Sequence, residues 1–190
     1  MVLNMEAVKK GELNKIIKAI LLTVLGTLLI TISAKIKIPF YPVPMTMQTF
    51  VILLIGISLG YKIGLATVTL YLIEGIVGLP VFANSPEKGI GLAYFIGPTM
   101  GYLIGFLVAV YFAGIFKYDK GPINTFFKLI FSVSFIYILG LFWLGILIGW
   151  DKPIFKLGAA PFLLAELFKI LLLLFLMPVL LKIKKNIKIT

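Results

Sequence analysis

The chain has 190 residues, 61% of them hydrophobic, with a mean hydropathy of +1.14. Only 13% are charged, against about 25% in soluble domains, so the chain cannot cover a water-facing globule and reads as a single membrane domain over residues 1–190. The net charge of +11 comes entirely from lysine on the basic side; without arginine the bidentate contacts to bases and phosphates are missing, which argues against a nucleic-acid partner.

Met1–Gly11 is polar and has no small-residue cleavage site, so the first apolar segment is expected to stay in the chain. Six apolar segments follow, at Ile16–Ala34, Met45–Gly60, Ile63–Leu79, Pro98–Phe116, Phe126–Ile148 and Pro161–Leu181. Each is near the ~20 residues that cross a bilayer as a helix.

In the first segment Ala19, Thr23, Thr27 and Thr31 recur every four residues, with Gly26 close by. This stripe of small side chains lets another helix approach, from this chain or from a partner subunit. Next comes Ile38-Pro-Phe-Tyr-Pro-Val-Pro-Met-Thr-Met-Gln-Thr49, whose prolines stiffen a loop just before a span. Thr46, Gln48 and Thr49 put hydroxyl and amide groups at the end of that span, where they can cap the helix or meet a ligand. Segments two and three are parted only by Gly60-Tyr61-Lys62; one unbroken helix there would outrun the membrane.

The third segment holds an acid, Glu74, and ends in Gly75-Ile-Val-Gly-Leu-Pro-Val-Phe-Ala-Asn84. Pro80 stops the helix, Phe82 can fold back into the bilayer edge, and Asn84 offers a donor and an acceptor where that turn meets water. Asn84 is equally a turn former before Ser85-Pro86. The fourth segment opens with Gly97-Pro-Thr and carries Gly97, Gly101 and Gly105 at four-residue spacing, a smooth strip for a neighbouring helix. Tyr102 lies beside that strip.

The sixth segment contains Glu166 and Lys169 in an otherwise apolar run. A spacing of three puts both on one helix face, and an ionisable group inside a bilayer costs about 2.5–3.5 kcal/mol even on lenient scales. The pair can neutralise itself structurally, line a ligand pocket, or pass protons.

Topology follows from lysine placement. With the N-terminus in the cytoplasm, twelve lysines fall on inside segments and five on outside ones, so both termini are expected to be cytoplasmic. The three longer, proline-bearing connections, 35–44, 80–97 and 149–160, then face outward, and a pocket opening outward is expected. Cys and His are absent. That removes thiolate nucleophiles, Cys/His metal sites and the commonest general base. No phosphate-cradling Gly-x-x-x-x-Gly-Lys-Ser/Thr loop occurs, so ATP hydrolysis by that route is excluded.

These elements together resemble the BioY family, the biotin-specific substrate-binding (S) components of energy-coupling factor (ECF) transporters. The resemblance is carried by Ile38-Pro39, Pro42-Val-Pro-Met-Thr-Met-Gln-Thr49, Tyr71-Leu72, Gly78-Leu-Pro-Val-Phe-Ala83, Gly97-Pro-Thr, Gly101-Tyr-Leu-Ile-Gly-Phe106, and Pro161-Phe162 with Lys169. It implies an all-α integral membrane protein of the S-component fold, with six transmembrane helices and both termini cytoplasmic. Biotin would be transported cargo, bound near the outer face, and no cofactor would be needed. The implied partners are a transmembrane coupling subunit and ATPase subunits, in membrane lipid, with docking through the Ala19, Thr23, Thr27, Thr31 face. The implied biotin contacts are Asn84, Glu166 and Lys169, with Tyr102, Gln48, Thr46 and Phe82 completing the walls. Glu166 stands where the family usually has Asp, one methylene shorter. Lys169 would neutralise Glu166 or reach the ligand carboxylate. From the residues alone, an S component for another vitamin, a membrane enzyme using Glu74 or Glu166 as base, and a structural membrane subunit stay open.

Overall fold

The computed structural model describes the backbone of residues 2–187 and side chains from residue 12. Its elements in chain order are α1 (Val2–Lys35), β1 (Lys37–Ile38), β2 (Met45–Thr46), α2 (Gln48–Ile76), α3 (Gly91–Phe95), α4 (Met100–Ile115), α5 (Gly121–Ile148), α6 (Ile154–Gly158), a 3-10 turn (Ala160–Phe162) and α7 (Leu163–Ile187). Four helical stretches, Glu12–Lys35, Gln48–Ile76, Gly121–Ile148 and Ile154–Ile187, are long and apolar enough to cross a membrane. The 16-residue α4 is shorter. Exposed Leu, Ile and Phe side chains coat the outer faces of α1, α5 and α7, a surface suited to hydrocarbon rather than water.

α2 is not straight. Gly60 has φ 76 and ψ 171, a region that side-chain-bearing residues essentially do not enter. The chain folds back there. A Cβ built on Gly64 would lie 3.7 Å from the Cα of Gly56, although eight residues of straight helix would separate them by about 12 Å. Gln48 Nε2 likewise reaches Tyr71 Oη at 2.8 Å. Residues 48–59 and 61–76 are therefore two packed helical arms, and the Gly60-Tyr61-Lys62 break in the sequence is a reversal.

Helix starts differ from the sequence expectation: α1 begins at Val2 rather than Ile16, α4 and α7 each begin two residues later than expected, and two further differences have a local cause. Met45 does not open α2, because Met45 and Thr46 pair antiparallel with Ile38 and Lys37; a two-residue ladder thus interrupts the all-α pattern. α5 reaches back to Gly121, with Pro122 in its first turn, where a missing amide proton costs nothing.

The glycine strip of α4 acts as expected. A Cβ on Gly105 would lie 2.6 Å from Ile136 Cα, and one on Gly101 would collide with Leu139 O and, at 2.6 Å, with Trp143 Cβ. α4 and α5 therefore meet backbone to backbone. Trp143 Nε1 donates to Gly97 O at 2.9 Å and pins the start of α4.

The long connections, bounded by the helices as 36–47, 77–99 and 149–162, gather at one end of the bundle. Lys35 Nζ donates to Phe82 O and Ser85 O at 2.7 and 2.6 Å, and Lys37 Nζ to Ala83 O and Asn84 Oδ1 at 2.9 and 3.1 Å. Phe40 meets Phe162 edge-on at 5.7 Å, joining the first connection to the third. The other end holds the fold-back, Lys18 of α1 and the last turns of α7. Gly114 lies against Tyr61, Lys184 Nζ reaches Gly114 O at 3.4 Å, and Lys18 Nζ reaches Ile187 O at 3.0 Å.

Candidate functional site

Beneath the gathered connections lies a cleft enclosing about 560 Å³, open mouth included. All three connections contribute to it: Val43–Thr46 from the first, Phe82, Ala83, Tyr94 and Thr99 from the second, Phe162 from the third. Helical side chains form its depth: Gln48 and Thr49 from α2, Tyr102, Leu103 and Phe106 from α4, Ile136 and Tyr137 from α5, and Glu166 from α7. The lining is mainly apolar, with a few convergent polar groups, the usual character of a small-molecule site.

The charge pair sits at the wall. Glu166 and Lys169 are 5% and 7% exposed, and their N···O distance is 2.7 Å. Glu166 lies in the first turn of α7, where the helix dipole favours a negative charge. Lys169 Nζ donates to Glu166 Oε1 at 2.7 Å, Thr49 Oγ1 at 3.0 Å and Thr46 O at 2.6 Å. An ammonium has three protons, and these contacts use them all. Lys169 is not among the residues lining the cleft; it lines a separate groove with Ile36, Ile38, Phe168 and Leu172. Of the two roles open to it, neutralising Glu166 is the one its geometry serves.

Glu166 has one oxygen to spare. Oε1 accepts from Lys169 and from the Thr49 hydroxyl at 2.8 Å. Oε2 is buried and has no hydrogen-bond partner. A buried carboxylate oxygen left unpaired is costly; Glu166 belongs to the cleft lining and the Tyr137 hydroxyl stands beside its carboxylate, so a ligand donor arriving there finds an acceptor.

The aromatic wall is built on glycine. Phe82 packs on Gly75, stacks on Tyr94 at 5.3 Å and meets Tyr71 edge-on at 5.6 Å. Tyr71 receives Gln48 Nε2 and itself donates to Val81 O at 3.2 Å. Thr46 Oγ1 donates to Gln48 Oε1 at 3.2 Å. Gln48 is thus held on both sides, and its own reach into the cleft is limited. Tyr102 packs on Gly140 and donates to Gly158 O at 2.8 Å, which ties the third connection to α4.

Two expected residues are turned elsewhere. The Asn84 side chain accepts from Lys37, its backbone N–H donates to Tyr94 Oη at 3.1 Å, and it does not line the cleft. Burial raises the Tyr94 phenol above its ordinary range, so the group stays a neutral hydroxyl. Thr27 is 2% exposed and donates to Glu74 Oε1 at 3.1 Å, and a Cβ on Gly26 would meet Thr67 Cγ2 at 2.5 Å. The stripe on α1 therefore packs against the second arm of α2, with Ala19, Thr23 and Thr31 half-buried beside Thr27. Glu74, without a partner in the sequence reading, has Thr27.

Of the polar lining residues, Tyr94, Thr99 and Tyr137 were not singled out by the sequence as contacts, and Thr49 only as a polar group at the end of the span. Tyr137 is the only phenol of α5, and that isolation was the available signal. Among the described residues no cluster of three metal-ligating side chains occurs.

A model of the BioY family matches residues 5–186. The chain is 35% identical over 152 residues to a probable biotin transporter BioY of Pyrococcus horikoshii, spanning 80% of this chain and 89% of that protein. It is 36% identical over 145 residues to a biotin transporter BioY of Thermotoga maritima, spanning 76% and 84%. The crystal structure of the S-component for biotin from an ECF-type ABC transporter matches with a TM-score of 0.74 at 26% identity, over 89% of this chain and 93% of that one.

Proposed function

The chain belongs to the BioY family, and on that footing we propose that it captures biotin as the S component of an ECF-type importer. It is a multi-pass membrane protein and a transport component, not an enzyme. Biotin is cargo, and the reading calls for no cofactor.

One observation carries the reading: Glu166, a lining residue of a mainly apolar cleft, keeps a buried oxygen, Oε2, without a hydrogen-bond partner. Biotin has two ureido N–H donors, one ureido carbonyl, an apolar thiophane ring and alkyl chain, and a terminal carboxylate. A ureido N–H donates to Glu166 Oε2. The thiophane and chain lie against Phe82, Leu103, Phe106 and Phe162. Tyr137 and Thr99 bring hydroxyls to the same lining. Lys169 neutralises Glu166 from behind. Gln48, Thr46 and Tyr102 shape the walls through the bonds they already make, and Asn84 acts through the Lys37 clamp that holds the second connection in place.

In this reading the chain crosses the membrane six times, with the two arms of α2 as separate spans and both termini cytoplasmic. The fold-back at Gly60, the pairing of Lys18 with Ile187 at one end, and the lysine excess on that side support it. The cleft then opens outward. A transmembrane coupling subunit docks on α1, along the half-exposed edges of Ala19, Thr23 and Thr31 beside the internally occupied Thr27, and ATPase subunits supply the energy.

Titration of the chain, purified in mild detergent, with labelled biotin tests the function. One saturable site, emptied by unlabelled biotin, is expected. Absence of saturable binding by folded protein refutes the reading.

A further inference from the structure

Thr49 stands between the two buried charges. Its hydroxyl donates to Glu166 Oε1 at 2.8 Å and accepts from Lys169 Nζ at 3.0 Å. It is 8% exposed and is the second residue of α2, in the first turn of the first arm. The result is an uneven carboxylate: Oε1 accepts two hydrogen bonds, and Oε2, equally buried, has no donor in hydrogen-bonding geometry, with the Tyr137 hydroxyl the neighbouring polar group.

That unevenness has a cause in the donors available. A Lys169 proton without another acceptor would turn to the nearest unpaired buried oxygen, because leaving that oxygen bare is unfavourable. Thr46 O and Thr49 Oγ1 keep two of the three protons occupied. Removing the Thr49 hydroxyl frees one proton of Lys169 and one lone pair of Oε1 together. The ammonium can then serve both carboxylate oxygens and occupy the acceptor otherwise left for a ligand.

We propose that Thr49 is a positioning residue for Glu166: by holding Lys169 and Oε1 it keeps Oε2 open, and so sets the preference for a ligand presenting an N–H donor. The inference rests on the biotin reading above and deepens it. Nothing in it requires Thr49 to touch biotin.

The test compares T49V with T49S, each purified as the full chain, in binding to biotin and to biotin methylated on a ureido nitrogen. Valine keeps the shape and removes the hydroxyl, and serine restores it. T49V is expected to weaken biotin by about tenfold or more, the scale of a hydrogen bond to a charged group. The analogue methylated on the nitrogen that serves Glu166 should weaken by less than about threefold, so the discrimination between the two ligands collapses. T49S should stay within about threefold of wild type for both. Equal weakening of both ligands by T49V, or T49S as poor as T49V, would show a packing role and overturn the proposal. So would T49V binding biotin as tightly as wild type. If T49V does not fold, T49A against T49S carries the same comparison. Failure of the wild-type chain to bind biotin refutes the functional reading and this role with it, whereas normal wild-type binding with unchanged variants refutes this role alone.

Discussion

Replacing Glu166 by glutamine is expected to weaken biotin binding by about one to two orders of magnitude, with the fold intact. The reason lies in how the new amide must orient. Lys169 and Thr49 both donate to the Oε1 position, so the glutamine carbonyl takes that place. Its NH₂ group then occupies the position of Oε2 and presents donors to the cleft. A ureido N–H would meet a donor where it needs an acceptor. Lys169 keeps three acceptors, and the helix is unchanged, so detergent-solubilised E166Q should remain monodisperse. Binding within about twofold of wild type would remove Glu166 from the site. Alanine at the same position is a harsher and less specific change: glutamine removes the counter-charge but keeps an acceptor for Lys169, whereas alanine removes both, a loss of about 3–5 kcal/mol for broken buried pairs.

The second large effect lies in packing. Gly101→Leu is expected to prevent α4 from seating on α5, since even a Cβ would collide with Leu139 O and lie 2.6 Å from Trp143 Cβ. Backbone cannot yield as a side-chain tip does, so the cost should reach or exceed the ~1–3 kcal/mol typical of overpacked cores. The seam between α4 and α5 carries Tyr102, Leu103 and Phe106 on one side and Ile136 and Tyr137 on the other, all of them cleft residues. Loss of the seam therefore removes the site. The measurement is a thermal melt beside a biotin titration: a lowered Tm and lost binding are expected together. A variant as stable as wild type would contradict the close approach of the two helices.

Much of this architecture was legible before any coordinates. The small-residue strip of α4 announced a close helix contact because only glycine lets backbones meet. The prolines of the first and second connections announced ordered turns, and those turns form the rim. The charge pair stood out because hydrocarbon makes ionisable groups expensive. What stayed hidden depends on long-range geometry. The sequence marked Thr49 as polar but could not bring it to Glu166, which lies 117 residues away. Tyr137 was masked by an apolar run in which an aromatic normally means core or lipid contact. Asn84 looked like a ligand contact because its chemistry suits a ureido group, but periodicity says nothing about Lys37 arriving from another connection to claim it. The α1 stripe read correctly as a helix-approach surface, while the identity of the approaching helix, the second arm of α2, needed the fold.

The most direct test is a structure of the chain with biotin bound. The ureido ring is expected within the cleft, with one N–H donating to Glu166 Oε2 at about 2.7–3.2 Å, Lys169 still held by Thr46 O and Thr49 Oγ1, and the carboxylate tail towards the mouth. Biotin seated outside the cleft, or within it with Glu166 Oε2 making no contact to the ureido group, would contradict the account.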